Sequence, residues 1–180
     1  MTTKSQGCLW QICQVLLFSA GVMSLDCNLL HRQQNQFNWY SLQLLQTMGG
    51  KIPLECLQDT TAFQFPEEVL KPKFPQYAKL AVHEILQQLF SIFSKNLSQT
   101  GWKKTNVKRF LNGLNLQTVR LEECLPTAGN ISFKKLKKYF QSIEDFLKEK
   151  NYSTCAWVIV REEAQNCFRH IDTLTKSMKN

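Results

Sequence analysis

Few side chains in this sequence have the type and spacing that catalysis or metal binding requires. His83 and Glu84 begin like the HExxH helix of zinc proteases, but Gln87 occupies the position of the second histidine. Cys167 and His170 could face each other on a helix as half of a metal site. We interpret them instead as a partly buried cysteine and an exposed histidine. The sequence has neither a glycine-rich phosphate loop nor a nucleophile elbow, so we predict no enzyme, no metal and no cofactor.

Seven cysteines are the other residues that could react, and the start of the chain indicates their environment. Lys4 precedes an apolar stretch that ends in a small-residue site at Ser24, which is typical of a secretory signal peptide. A retained membrane anchor is the alternative, but the stretch is short for a bilayer. We predict a signal peptide over residues 1–24 and a helical domain over residues 25–180. The protein would be secreted, with no membrane insertion after removal of the signal.

Removal of the first 24 residues would leave five cysteines in an oxidising compartment, where two disulfides and one odd thiol are expected. Four paired cysteines allow three connectivities, and their spacing alone does not choose among them. Sequons at Asn96, Asn130 and Asn151 predict N-glycosylation and agree with the secretory route. The five cysteines are Cys27, Cys56, Cys124, Cys155 and Cys167.

Apolar residues recur at helical spacing in five segments, and no strand-like alternation competes with them. Gly49 and Gly50 end the first segment, and four prolines forbid a helix across residues 51–75. We therefore predict an all-α, five-helix bundle with a long overhand loop after the first helix. Such a loop allows neighbouring helices to run parallel, as in up-up-down-down cytokine bundles. The predicted inward stripes include Leu44 and Met48; Ala81, Ile85 and Leu89; Phe110, Leu114 and Leu121; Leu136, Phe140 and Ile143; and Trp157, Ala164, Phe168 and Ile171.

The chain carries a formal net charge of +8, which favours attraction to acidic partners. The densest basic run lies on the fourth predicted helix, opposite its apolar stripe. A solvated face is the simpler interpretation, and a contact for an acidic receptor patch or for heparan sulfate is the functional one. Nucleic acid is not expected as a partner of a secreted protein. The run consists of Lys134, Lys135, Lys137 and Lys138.

Several stretches, taken together, are similar to one protein family. Residues 83–94 read HEILQQLFSIFS, residues 138–141 read KYFQ, and residues 146–153 read FLKEKNYS. Cys155-Ala156-Trp157, followed by Val160-Arg161, resembles a family signature at the start of the last helix. In order, along nearly the whole predicted mature chain, these stretches resemble the type I interferons. The phrase LDCNLL at residues 25–30, FLKEK and the extra Cys167 are most similar to the kappa type, and we interpret the chain as a member from a bird or reptile.

The resemblance implies a function and a disulfide pattern. Type I interferons are secreted cytokines that bring together two receptor chains, and the associated kinases then trigger an antiviral and immunomodulatory state. Another secreted helical cytokine or hormone is the alternative class, and a lipid-carrying bundle fits the predicted disulfides poorly. The implied bridges are Cys27–Cys124 and Cys56–Cys155, with Cys167 either free or joined to a partner in trans.

The resemblance also implies two receptor-binding surfaces on opposite faces. The chain that binds more tightly would contact the long loop and the last helix; we call it the tighter receptor chain. Its predicted contacts are Leu57, Thr60, Arg161, Glu162, Gln165, Asn166 and Arg169. The weaker receptor chain would contact the second, third and fourth helices. Its predicted contacts are Phe90, Ser91, Asn106, Leu111, Asn115 and Lys137.

Among these residues Arg161 is the strongest candidate for a binding hot spot. The helical wheel places it beside the buried stripe, so we expect its guanidinium to point outward toward a receptor carboxylate or carbonyl. The alternative is an intramolecular salt bridge to Asp59 or Glu162. Thr60 and Asn166 stand where alpha members carry arginine, which suggests weaker binding or a shifted set of contacts. Leu111 and Asn115 likewise replace aromatic residues that alpha members carry.

Overall fold

The computed structural model of the protein describes residues 6–125 and 131–179, with side chains from residue 27 onward. The predicted signal peptide therefore lies outside the residues whose side chains are described. The sequon at Asn130 lies outside them as well.

All five predicted helices are present in the described part of the chain. α1 spans Gln6–Gly49, α2 Pro75–Phe93, α3 Lys104–Glu123, α4 Lys134–Glu149 and α5 Thr154–Lys176. Between α1 and α2 the chain forms the predicted long loop, which contains only two short 3₁₀ helices, Leu54–Asp59 and Glu67–Leu70. Proline at the first position of α2 suits a helix start, since its missing N–H has no partner there in any case.

Contacts between helices establish their directions. The Cys27–Cys124 disulfide and the approach of Gly113 to Phe37 make α3 antiparallel to α1. Hydrogen bonds from Arg161 to Leu45 and from Asn38 to Thr175 make α5 antiparallel to α1 as well.

α2 runs opposite to α3, with Phe93 against Phe110 and His83 against Glu122. α1, α2, α3 and α5 therefore form an up-up-down-down bundle, as predicted. α4 packs on α2 and α5. It runs parallel to α2, because Lys137 of α4 pairs with Glu84 and, further along both segments, Glu144 of α4 pairs with Lys95.

Four large aromatic side chains fill the centre of the bundle where α2, α3 and α5 meet. Phe93, Phe110, Trp157 and Phe168 are each fully buried, and the ring centroids of Phe93 and Phe110 lie 5.1 Å apart in an edge-to-face arrangement. The indole N–H of Trp157 donates to the Asn96 carbonyl at 3.1 Å, so the buried ring has no unpaired donor. Truncation of such a residue typically costs about 3–5 kcal/mol.

Gly113 in α3 serves a packing purpose that the sequence pattern did not indicate. A Cβ at this position would lie 2.6 Å from the Phe37 ring, which is closer than real side chains approach. Glycine therefore lets the Phe37 ring of α1 pack directly against α3. This contact explains why a helix accepts the propensity cost of about 1 kcal/mol that glycine carries relative to alanine.

Candidate receptor-binding surfaces

The long loop is fastened to the bundle at three points, on α5 and at the end of α4. The Cys56–Cys155 disulfide joins it to the start of α5. Lys150 donates to Asp59 Oδ1 at 2.8 Å, and this hydrogen bond and charge raise the pKa of Lys150 above its ordinary value. Arg161 holds the first residue of the loop, because its Nη2 donates to the Gly50 carbonyl at 2.7 Å. The segment from Gly50 to Thr60 is thus fixed in position by its neighbours.

The expectation that the Arg161 guanidinium points outward is wrong. The side chain is 0% exposed, and besides Gly50 it donates from Nη1 to the Leu45 carbonyl at 3.1 Å. A cation is favoured at this negative end of the helix dipole, and Gly50 is the first residue after α1. Arg161 therefore caps the C-terminal end of α1. Of the two alternative salt bridges, the one to Glu162 is present at 2.6 Å, whereas Asp59 pairs with Lys150.

Gly49 makes room for this arrangement. A Cβ at Gly49 would lie 2.9 Å from Nε of Arg161 and 3.0 Å from its Cζ. The backbone of α1 thus passes directly over the guanidinium, which a larger residue would displace.

Around this anchored segment the structure exposes some predicted contacts and buries others. Leu57, Thr60 and Arg169 are exposed, and Glu162 and Asn166 are half-buried. Gln165 is buried and donates to Glu162 Oε1, so with Arg161 it supports the surface from below. Leu54 was missed by the sequence analysis, although at 84% exposure it is the most exposed large apolar residue of the described chain. The sequence signal that could have identified it is a leucine in a loop whose apolar residues do not recur at helical spacing. We call Leu54, Leu57, Thr60, Glu162, Asn166 and Arg169 the loop–α5 surface.

A second surface follows the edge between α2 and α3. Phe90 is 37% exposed, so packing in the core does not account for it, and with Asn115 it lines a shallow groove. Val119 lies in the same groove, and Leu116 is exposed one turn from it along α3. Both were missed, and the signal that could have found them is their position off the core stripe of α3. We call Phe90, Asn115, Leu116 and Val119 the α2–α3 surface.

The remaining predicted contacts of the weaker receptor chain lie beside this surface with differing exposure. Ser91 and Lys137 are exposed, whereas Asn106 and Leu111 are half-buried. Lys137 lies on α4, with its Nζ 4.0 Å from Glu84 Oε1 of α2.

The two surfaces lie on opposite edges of the bundle. α1 and α2 each pack between α3 and α5, so the order around the bundle is α1, α3, α2, α5. The α1–α5 edge, to which the loop is fastened, therefore faces away from the α2–α3 edge. One rigid body carries two separated surfaces that expose apolar side chains, which suits simultaneous contact with two proteins.

Comparison with known proteins gives the family of this bundle. Residues 30–178 match the family model of the interferon alpha/beta domain. The chain is 35% identical to human interferon kappa over 97% of each chain. It is 37% identical to chicken interferon type B over 92% of this chain and 86% of that protein. The chain belongs to the type I interferon family. The fold agrees, since zebrafish interferon 1 superimposes with a TM-score of 0.69 over 80% of this chain and 95% of that one, at 21% identity.

The predicted resemblance to the kappa type is confirmed by this similarity, and the protein is a cytokine rather than an enzyme. Within the described residues of the interferon, no helix combines the length and apolar character needed to cross a membrane.

Cys167 of the interferon is a buried free thiol. It lies on α5 with its Sγ 3.3 Å from the Tyr139 hydroxyl, and burial raises its pKa to about 12. Three residues further along α5, His170 is half-buried and stacks on Phe65 at 4.0 Å, and burial lowers its pKa. No cluster of side chains that could hold a metal ion occurs in the part of the chain that the structure describes. A buried, protonated thiol argues against a disulfide in trans.

The interferon's basic run on α4 is exposed but partly neutralised. Lys135 pairs with Glu68 at 2.7 Å, and Lys137 approaches Glu84 as described above. Lys134 and Lys138 have no ion pair with any described carboxylate.

Two sequons of the interferon lie at one end of the bundle. Asn96 is in the α2–α3 connection and Asn151 in the α4–α5 turn, and both are exposed. A hydrogen bond from Thr154 to the Gln99 carbonyl joins the two connections. Asn151 has φ of 49°, a left-handed conformation that asparagine tolerates better than most residues.

Proposed function

We propose that this interferon is a secreted cytokine that brings together two cell-surface receptor chains and thereby triggers kinase signalling and an antiviral, immunomodulatory state. The observation that carries the proposal is the pair of separated surfaces on opposite edges of one bundle. The tighter receptor chain would bind the loop–α5 surface, and the weaker receptor chain the α2–α3 surface.

The loop–α5 surface suits the tighter receptor chain because it is preorganised. A disulfide, a salt bridge and the buried Arg161 hold the loop before any partner arrives, so little ordering entropy remains to be lost on binding. Leu54 and Leu57 project from this fixed segment as exposed apolar side chains, and Arg169 of α5 adds an exposed cation. Arginine is one of the residues enriched among binding hot spots.

The α2–α3 surface offers apolar contact without such support. Phe90, Leu116 and Val119 are exposed on two regular helices. Their positions depend on helix packing alone, and Phe90 and Val119 line an open groove between the two helices. This surface suits a partner that binds by contact with side chains, with modest affinity.

Secretion forms part of the proposal, together with cleavage after residue 24. Two disulfides in a chain of 180 residues are expected where the environment is oxidising. The exposed sequons at Asn96 and Asn151 would carry glycans there.

Heparan sulfate is a further proposed partner, at the basic run on α4. Lys134 and Lys138 are available to sulfate groups at once, and Lys135 would have to exchange Glu68 for them. Retention of the protein near the secreting cell would follow from such binding.

A cell assay with paired variants tests the proposal. The secreted protein is applied to matched reporter cells that have both receptor chains or lack one of them, and its binding to each purified receptor ectodomain is measured. Leu54→Ala with Leu57→Ala should weaken binding to the tighter chain alone, and Leu116→Ala with Val119→Ala binding to the weaker chain alone. Leu29→Ala, exposed on α1, is the matched control. A response in cells that lack either chain, or a variant that weakens both chains equally, would refute it.

A further inference from the structure

We infer that the outward face of α1 is a self-association surface, through which two copies of this chain form a weak, symmetric dimer. The face consists of Gln36, Trp39, Tyr40 and Gln43, and we call it the α1 uncharged face. All four side chains are exposed. The occupant is a second copy of the same chain, and the inference does not depend on receptor binding.

Trp39 is exposed because of its position on the helix. It lies nine residues from each of the buried Leu30 and Met48, and nine residues are about two and a half helical turns. Trp39 is therefore on the opposite side of α1 from the core, where its side chain is 63% exposed. The neighbouring Tyr40 is 42% exposed. Packing of the bundle gives no reason for two large aromatic residues here, whereas protein interfaces are enriched in them.

The α1 uncharged face lies in a part of the chain that lacks formal charge. Residues 33–50 are the longest stretch after the predicted signal peptide without Asp, Glu, Lys or Arg. The chain has a net charge of +8, so two copies repel each other at long range. A self-contact through the basic run on α4 would bring lysines against lysines. Self-contact is opposed least at the α1 uncharged face, which brings no charges together.

The side chains of the α1 uncharged face can also pair with copies of themselves, as a two-fold dimer requires. A glutamine amide carries both donors and an acceptor, and aromatic rings pack against rings of their own kind. Gln36 lies one turn before Trp39, and Gln43 lies one turn after it. In an antiparallel crossing centred on Trp39, Gln36 of one copy therefore meets Gln43 of the other. A charged partner would find no opposite charge on this face.

A dimer through the α1 uncharged face would leave both proposed receptor surfaces open. Tyr40 lies one turn after Phe37, which packs against Gly113, so Tyr40 is on the α3 side of α1. The loop–α5 surface lies on the other side of α1. The α1–α3 edge also faces away from α4, since α4 packs on α2 and α5. One dimer would therefore carry two copies of each receptor surface.

The size of the face sets the strength of the dimer. The exposed face from Arg32 to Thr47 is about 24 Å long, and a helix with its side chains is about 10 Å wide. This outline of roughly 240 Å² is small beside the approximately 800 Å² that each partner buries in a stable interface. The dissociation constant is therefore expected to be weak, on the order of 0.1 mM.

Sedimentation equilibrium of the secreted chain across this concentration range tests the inference. It should show monomer and dimer, and Trp39→Ala should weaken dimerisation at least tenfold. Phe74→Ala, an exposed aromatic residue outside α1, is the matched control and should leave it unchanged. Added NaCl should strengthen the dimer, because it screens the repulsion between two positively charged copies.

A pair of charged variants tests the antiparallel arrangement. One carries Gln36→Lys with Gln43→Lys, and the other carries Gln36→Glu with Gln43→Glu. Neither variant should dimerise alone, because like charges meet across the two-fold axis, whereas an equal mixture should form heterodimers. All these positions are exposed, so every variant should keep the parent melting temperature, which is measured first.

Three results would overturn the inference: a chain that stays monomeric, a dimer that Trp39→Ala does not weaken, or a mixture of the charged variants that stays monomeric. Binding to the purified receptor ectodomains, at concentrations where the chain is monomeric, examines the other occupant. Trp39→Ala should leave both affinities unchanged, and a weakened one would make this face a receptor contact instead. Sedimentation uses no receptor, so failure of the dimer would leave the receptor proposal untouched, and failure of the receptor assay would leave the dimer standing.

Discussion

The loop–α5 surface and the α2–α3 surface both expose apolar side chains but are built in different ways. The loop has no regular structure beyond two 3₁₀ turns, and a disulfide, a salt bridge and a buried arginine hold it in place. The α2–α3 surface consists of side chains on two regular helices whose opposite faces fill the core. The loop–α5 surface keeps its position through residues behind it that no receptor chain would contact, whereas the packing of α2 against α3 is enough to position the other surface.

This difference predicts how substitutions act. Behind the loop–α5 surface, a change in a buried residue should lower stability and tighter-chain binding together. On the α2–α3 surface, a change in an exposed residue should lower weaker-chain binding with little loss of stability. Each variant below is therefore measured for the melting temperature and for binding to each receptor ectodomain.

The largest effect is expected from loss of the loop disulfide. Cys56→Ser with Cys155→Ser removes a bridge across 99 residues, for which the chain-entropy estimate is about 4–5 kcal/mol. The melting temperature should fall by roughly 10–15 °C, and binding to the tighter chain should fall with it because the loop is released.

Cys27→Ser with Cys124→Ser is the matched control, since that bridge spans 97 residues and lies away from the loop. It should lose similar stability but keep tighter-chain binding at temperatures where it is folded. Equal loss of binding in both double variants would contradict the proposed role of the Cys56–Cys155 bridge.

Arg161→Ala should have the next largest effect. It removes a fully buried side chain together with its hydrogen bonds to the Leu45 and Gly50 carbonyls, and a lost hydrogen bond from a charged group typically costs about 1.5–3 kcal/mol. We expect the free energy of unfolding to fall by about 3 kcal/mol and the affinity for the tighter chain by about tenfold, with the weaker chain unaffected. Arg169→Ala on the same helix should reduce binding without changing the melting temperature, because Arg169 is exposed. An unchanged melting temperature for Arg161→Ala would show that Arg161 does not hold the loop.

Phe90→Ala should have the smallest effect. The exposed part of the ring is lost to the weaker chain, so its affinity should fall about fivefold, or roughly 1 kcal/mol, while tighter-chain binding is unchanged. Phe74→Ala is the control, because Phe74 is similarly exposed but belongs to neither surface. It should match the small stability change of Phe90→Ala and leave both affinities alone. If both variants weaken the weaker chain equally, Phe90 is not a contact.

The bundle was predictable from the sequence because its signals are local. The stripe of Phe140 and Ile143, or of Trp157 and Phe168, shows on one helix which face is buried, and these side chains are buried. Glycine marked the end of α1, and proline marked the start of α2. Helix directions and bridges needed the family resemblance, since cysteine spacing left three pairings open.

The burial of Arg161 was not predictable in the same way. A helical wheel of α5 records only α5, whereas the acceptors of Arg161 are carbonyls at the end of α1, far away in the chain. Gln165 was a contact implied by the resemblance, and the structure buries it against Glu162 of the same helix. Leu54, Leu116 and Val119 were missed because helix prediction searches for apolar residues that recur at helical spacing on the buried face. These three side chains are exposed and do not belong to such a stripe.

The close approach of Gly49 to Arg161 limits which substitutions, and which exchanges of helices between relatives, the protein can accept. Because a Cβ at residue 49 and the guanidinium of residue 161 require the same space, residue 49 cannot gain a side chain while residue 161 remains arginine in this conformation. A lineage that gains a side chain at 49 must first shorten residue 161 and hold its loop by other means. An engineer who exchanges the last helix between relatives should transfer the end of the first helix with it. A side chain at residue 49 and the present position of Arg161 exclude each other, although the two residues lie near opposite ends of the helical domain.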